Sequence, residues 1–198
     1  MKFSVHLFAA LMFWMSALTS QPVQAVELGL KPSDVFALWT NINRMVLDLG
    51  RFNLADDIAI EALQNMEINR QRNKTPSDVL GKVADFTALI EPLHIHFRGE
   101  SDANLLERQI VFLVRHNKTE TTPSIVFMRS SDIMVNMAHI LAAYSDHEPL
   151  ISPYFMLEDF YDKTPSDVYA LVELATHRLE YVSKHPGFHH VWHKAKPE

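Results

Sequence analysis

The chain has 198 residues, a formal net charge of −6, no cysteine and 47% hydrophobic residues. The lack of cysteine excludes disulfides, cysteine-ligated zinc and haem attached through Cys-x-x-Cys-His. An acidic chain without a long basic run does not have the charge pattern of a nucleic-acid-binding protein, so we expect no nucleic-acid partner.

The first 25 residues have the pattern of a cleavable secretory signal peptide. Lys2 gives a basic start, residues 7–18 are mostly apolar, and Val23-Gln24-Ala25 matches a small-residue cleavage site. The apolar run is shorter than the ~20 residues of a membrane-spanning helix, and no later stretch is apolar enough to span. We therefore expect an exported protein, periplasmic or secreted, whose mature chain begins at Val26 and has no transmembrane helix.

A repeated phrase organises the rest of the chain. Thr-Pro-Ser-Asp-Val occurs at 75–79 and 164–168, and Pro-Ser-Asp-Val occurs at 32–35. After each proline, apolar residues return at alternating intervals of three and four, which indicates the buried face of an amphipathic helix. The three sets are Val35, Trp39, Ile42, Val46, Leu49; Val79, Val83, Phe86, Ile90, Leu93; and Val168, Val172, Ala175, Leu179, Val182.

A weaker fourth copy is assigned to Ser130-Ser131-Asp132-Ile133, followed by Met137, Ile140 and Tyr144. Internal repeats of this size predict packed helical units.

The repeated phrase also has the chemistry of a helix N-terminus. Threonine can cap a helix, proline suits the first helical position, and aspartate is stabilised near the positive end of the helix dipole. We assign this structural role to Pro32, Asp34, Thr75, Pro76, Asp78, Asp132, Thr164, Pro165 and Asp167. A catalytic Ser-Asp pair is the alternative, but an enzyme needs one active site, whereas every helix needs a start.

The predicted helices, in chain order, run from 32 to 49 with Gly50 as the terminating residue, from a cap at Asn53 to about 66, and from 75 to about 93. The later ones cover about 101–116, 131–144 and 165–184, with a short helix at 154–160. Residues 109–128 are rich in β-branched side chains and could instead form a β-hairpin. We favour helix for the first part of that stretch and an extended or irregular path for 124–128.

These elements predict an all-α single domain over residues 26–184, built from about six helices. Short connections favour either an up-and-down bundle or a short stack of helical hairpins. Residues 185–198 form a histidine-rich tail.

The tail is the candidate metal site. His185, His189, His190 and His193 could bind Zn²⁺, Ni²⁺ or Cu²⁺, because neutral imidazole is a common ligand of these ions. A solvent-exposed tail without metal is the simpler alternative. His94 and His96 could also coordinate a metal if their segment were extended, but on a helix their rings would diverge.

Two apolar features could belong either to the core or to a binding surface. The first is the pair Met134 and Met137, which lie on one predicted helix. The second is a cluster of aromatic residues that could line a groove. The cluster consists of Tyr154, Phe155, Phe160, Tyr161 and Tyr169.

No phosphate loop, serine elbow or zinc-protease motif supports an enzymatic activity. We therefore expect a non-enzymatic helical repeat protein that binds another periplasmic protein or a small ligand through a groove between helices. Metal binding by the tail is the alternative.

Overall fold

A computed structural model describes residues 28–54, 56–98, 121–145, 154 and 158–185, which contain five helices and no strand. The helices are α1 (Pro32–Asn53), α2 (Asp57–Gln64), α3 (Pro76–Arg98), α4 (Pro123–Ser145) and α5 (Pro165–Lys184). The predicted all-α class is confirmed for these residues. The signal peptide, the helix predicted at 101–116 and the first part of the alternative hairpin lie outside them.

The four long helices pack in a closed ring in the order α1, α5, α3, α4. The apolar stripes face its interior, and all fifteen residues of the three sets are buried. In this core the Trp39 ring lies edge-on to Phe86, with 5.2 Å between ring centroids. Met134 and Met137 are also buried, so these two methionines belong to the core.

All four long helices run in the same direction. Their first turns meet at one end of the ring, where one recess is lined by Pro32, Val35, Pro76, Val79, Pro123, Val126, Pro165 and Val168. Equivalent levels of neighbouring helices also meet further along the bundle. Trp39 Nε1 donates to Ser130 Oγ at 2.8 Å near the beginnings of α1 and α4, and the Phe52 and Tyr144 rings stack near their ends.

A helical bundle, one of the two predicted architectures, is therefore present in the described residues. The helix predicted after α1 corresponds to α2, which is shorter than expected. In all, 22 residues separate α1 from α3, and they include α2 and the non-helical stretch 65–75. These residues bring the chain back to the end of the bundle at which α1 began, so α3 can run parallel to α1.

The proline motifs at 32, 76 and 165 lie at the starts of α1, α3 and α5. In α5, Thr164 Oγ1 accepts from the Asp167 backbone N–H at 3.3 Å, and the Asp167 carboxylate accepts from the Thr164 N–H at 2.8 Å. Thr75 and Asp78 form the same reciprocal pair in α3. In α1, the Asp34 carboxylate accepts from the Lys31 N–H at 2.6 Å.

The fourth motif was placed at the wrong residues. α4 begins at Pro123, seven residues before Ser130, so Asp132 lies within the helix and not at its start. Residues 124–128, which we expected to be extended or irregular, form its first turns. Ser130 is fully buried inside the ring and is satisfied there, because its hydroxyl accepts from Trp39 and donates to the Val126 carbonyl.

The junction between α1 and α2 also differs from the prediction. α1 continues through Gly50 to Asn53, and the Asn53 side chain donates to the Leu49 carbonyl at 2.7 Å. Asp56 caps α2 instead of the predicted Asn53, since the Asp56 carboxylate accepts from the Ile58 N–H at 3.0 Å. Gly50 therefore does not terminate the helix.

Two later boundaries change as well. α3 continues beyond Leu93, through Pro92, to Arg98. Of the short helix predicted for 154–160, residues 158–160 are not helical, and residues 155–157 lie outside the described part of the chain.

Candidate functional site: the outer face of α4

Two non-helical segments, which we call straps, run antiparallel to the helices along the outside of the ring. The first strap, residues 65–75, lies on α5. Arg178 Nη2 donates to the Met66 carbonyl at 3.2 Å, Gln71 Nε2 donates to Glu173 at 3.1 Å, and the Lys74 N–H donates to Ser166 Oγ at 3.0 Å. The strap therefore passes from the last turns of α5 to its first turn, and it then leads into α3.

Arg178 anchors the beginning of the first strap. It is 8% exposed, and its guanidinium donates to the carbonyls of Gln64 and Met66 and to Asn43 Oδ1. Burial lowers the pKa of Arg178, because the charged form loses hydration. These bonds hold the end of α2 against α5.

The second strap, residues 158–164, lies on α1 and leads into α5. Glu158 pairs with Arg44, and the Phe160 ring meets the Phe36 ring edge-on with 4.9 Å between centroids. The Lys163 N–H then donates to Ser33 Oγ at 3.3 Å. The second strap therefore passes from the middle of α1 to its first turn.

The two straps end alike. Lys74 and Lys163 each directly precede the residue that caps the next helix. The Lys74 ammonium lies 4.2 Å from the Tyr169 ring centroid, and the Lys163 ammonium lies 4.6 Å from that of Phe36. Each strap thus ends with a backbone hydrogen bond to a serine and a cation–π contact to an aromatic ring of the helix beneath it.

The outer face of α4 has exposed apolar side chains. Met128, five residues after Pro123, is 44% exposed, whereas Ala170, five residues after Pro165 on α5, is 2% exposed. Val135, one further heptad along α4, is 38% exposed. With Ala143, these are the exposed side chains described on α4, and all three are apolar.

The start of this face contains an unsatisfied polar group. Ser124 is at the same helical position as Ser33 and Ser166, whose hydroxyls accept the strap N–H groups. Ser124 is 2% exposed, and its hydroxyl has no hydrogen-bond partner among the described residues. A buried hydroxyl without a partner is unfavourable, typically by about 1–3 kcal/mol. We call Ser124, Met128, Val135 and Ala143 the α4 face.

The aromatic residues that could have lined a groove are spread over the ring. The Tyr154 hydroxyl donates to Asp48 at 2.9 Å, Phe160 packs on Phe36, and Tyr169 lies under Lys74. Burial, followed by the hydrogen bond to Asp48, raises the pKa of Tyr154 to about 12. Tyr161 is exposed, and Phe155 lies outside the described residues. Those that are described do not form one groove.

The recess between the four helix starts is too small for an organic ligand. Its volume is about 10 Å³, close to the minimum for one water molecule. Ligand pockets for small molecules are typically some 300–1,000 Å³. This recess is therefore part of the packing of the bundle.

Only the first residue of the predicted metal site is described. His185 follows α5 directly, is half-buried, and has an Nδ1 atom without a described hydrogen-bond partner. His189, His190 and His193 lie outside the described residues, as do the side chains of His94 and His96. Within the described part of the chain, no three His, Asp or Glu side chains are grouped as metal ligands.

Sequence reasoning missed the α4 face. Met128 and Val135 are seven residues apart and lie outside the inward stripe, which is a signal for a second apolar face.

Comparison with known protein families, curated proteins and solved structures finds no match to this chain. No helix in the described ranges is long and apolar enough to cross a membrane.

Proposed function

We propose that the chain is an exported, non-enzymatic helical repeat protein that binds another periplasmic protein through the α4 face. The repeat unit in this proposal is a strap followed by a helix that starts with Pro-Ser. One observation carries the proposal: the exposed side chains described on α4 are apolar, and one of them, Met128, occupies the position at which Ala170 is buried on α5. Exposed apolar surface of this kind is typical of protein-binding sites.

The absence of natural cysteine allows a direct test. A single cysteine at Val135 can carry a thiol-linked photocrosslinker in the exported protein. His177 provides the matched control, because it lies twelve residues after Pro165, as Val135 lies twelve residues after Pro123, and it is exposed. We expect a discrete adduct from Val135→Cys that His177→Cys does not give.

Capture alone would not establish the function, so the crosslinked protein must then be purified and titrated. Val135→Lys should weaken its binding by roughly tenfold or more, because a charge would replace a buried apolar contact. His177→Lys should leave the affinity unchanged. Equal adducts at both positions, or an adduct to another segment of this chain, would refute the proposed site.

Export has a separate test. Mass spectrometry of the protein from the periplasmic fraction should give a mature chain that begins at Val26. An intact N-terminus in the cytoplasm would contradict the proposed location.

The alternative function is metal binding by the tail. Its support is the His185 Nδ1 atom, which is buried and has no described partner, since such a nitrogen is available as a ligand. The metal would be Zn²⁺, Ni²⁺ or Cu²⁺, and His189, His190 and His193 would complete the site.

A further inference from the structure

We infer, on the basis of the proposed function, that the partner contributes an extended segment that lies along α4 as the straps lie on α1 and α5. Each strap lies on one helix of the ring and leads into a neighbouring helix. The first lies on α5 and leads into α3, and the second lies on α1 and leads into α5. Continued around the ring in the same sense, the segment that leads into α1 would lie on α4.

The chain before α1 is too short to do this in the mature protein. If the signal peptide ends at Ala25, only four residue steps separate Val26 from Leu30, the residue equivalent to Lys74 and Lys163. Fully extended, they reach about 13 Å. Val135 lies twelve residues from the start of α4, or about 18 Å along the helix. A chain that begins at Val26 would therefore not reach Val135 and Ala143 with the segment that leads into α1.

The hydrogen bonding at the start of α4 agrees with an unfilled strap position. Leu30 occupies the place in the chain from which Lys74 and Lys163 donate to Ser166 and Ser33. The Ser124 hydroxyl nevertheless accepts no bond from any described residue, including Leu30. Leu30 thus does not make with α4 the hydrogen bond that Lys74 and Lys163 make with α5 and α1. An incoming segment could donate a backbone N–H to Ser124.

The composition of the α4 face defines the chemistry of this segment. The straps on α1 and α5 meet charged side chains, as in the Arg44–Glu158 and Gln71–Glu173 contacts. On α4 the exposed side chains are Met128, Val135 and Ala143. Met128 and Val135 are about 10.5 Å apart along the helix, or about three residues of an extended chain. The segment should therefore have apolar side chains about three residues apart where it contacts Met128 and Val135.

A chimaera tests whether α4 accepts a strap. A copy of residues 154–163 replaces residues 26–30 of the mature chain, so that a full-length strap leads into α1. A Gly/Ser segment of equal length is the control, and both chains also contain Val135→Cys. Glu158 of the copied strap meets Arg44, which occupies on α1 the position of Val135 on α4. We therefore expect a thiol reagent to modify position 135 roughly tenfold more slowly than in the control. The added strap should also abolish the partner adduct.

The outcomes separate this inference from the proposed function. Suppose that the Val135→Cys chain without the added strap gives a partner adduct, but the chimaera shows no protection and still binds the partner. The proposed function then survives and the extended segment is refuted. If the Val135→Cys chain without the added strap gives no partner adduct, both are refuted. Circular dichroism of both chains verifies that the five helices are retained, and Met128→Cys provides a second position if Val135→Cys fails to fold.

Discussion

Two glycines within helices should respond in opposite ways to the same substitution. Gly81 lies in α3, and a Cβ atom added there has no atom within 4 Å. Gly50 lies in α1, and a Cβ added there would be 2.3 Å from Leu63 Cδ2 and 3.4 Å from Val182 Cγ2. Gly50 therefore allows α2 to approach α1 closely, whereas Gly81 has no such packing role among the described residues.

The expected magnitudes follow from these contacts. Alanine is better than glycine in a helix by about 0.8–1 kcal/mol, and Gly81→Ala should gain that amount. Gly50→Ala gains the same propensity but must displace the fully buried Leu63 side chain, and overpacking typically costs about 1–3 kcal/mol. We expect Gly50→Ala to be destabilising by about 1 kcal/mol, and the difference between the two variants to measure the overpacking.

Thermal and urea unfolding of the mature chain would test both values. For a domain of this size, 1 kcal/mol corresponds to about 2–4 °C in Tm. Leu63→Ala completes a double-mutant cycle, because it removes the atoms that the methyl group added at position 50 would meet. Gly50→Ala should become neutral or stabilising in that background. A stabilising Gly50→Ala in the natural background, or no coupling to Leu63, would refute the close approach of α2.

Three further perturbations test other parts of the molecule. Val172→Asp should cost about 3 kcal/mol or more in urea unfolding, since it buries an unpaired charge in the core, whereas the exposed His177→Asp should cost less than about 0.5 kcal/mol. Tyr154 has a raised pKa in the folded state, so its stabilising contribution should be present below about pH 10 and be lost as the pH rises towards 12; unfolding of Tyr154→Phe should lack this loss. Calorimetric titration with Zn²⁺, Ni²⁺ and Cu²⁺ should show at most weak binding that decreases below about pH 6.5, and a tight complex lost on truncation at Lys184 would favour the metal-binding alternative.

The inward faces of three helices could be read from the sequence because burial follows a simple period. Residues separated by three and four positions must share a helix face, whatever the helix packs against. The Thr-Pro-Ser-Asp phrase likewise marks a helix start through local hydrogen bonds, such as the pair between Thr164 and Asp167. Both signals are independent of how the helices are connected.

The start of α4 was missed because two of its residues break the pattern. Thr122-Pro123-Ser124 is present, but Ile125 replaces aspartate, and the polar Ser130 occupies an inward position seven residues after the proline. The indole of Trp39 explains that serine, because it supplies a hydrogen bond within the core. Such a partner, 91 residues away in the chain, has no local signature in the sequence.

The packing of the long helices as parallel neighbours was not predictable for a similar reason. It depends on straps whose contacts join distant residues, such as Lys74 with Ser166. Residues 65–75 have no apolar period, so the sequence predicts only a polar connection between helices. Their length was compatible with a loop, and only the contacts with α5 identify them as a return path along the bundle.

Parallel packing places four helix N-termini together, each with roughly half a positive charge, and this arrangement should make the first-turn aspartates important for stability. In α5, the hydrogen bond from the Thr164 backbone N–H is the largest cause of the lowered pKa of Asp167, and the hydroxyl of Thr164 adds to it. Thr164→Ala and Asp167→Ala should each lower the free energy of unfolding by about 0.5–2 kcal/mol at pH 7, whereas the exposed Asp159→Ala should not. A folded-state pKa below the unfolded value near 3.9 gives a stabilising contribution that is present above that pH and is lost as the pH falls through the folded pKa. The gap between the natural chain and Asp167→Ala in urea unfolding should therefore narrow below about pH 4. A gap that stays constant down to pH 2 would mean that the carboxylate charge does not stabilise the start of α5.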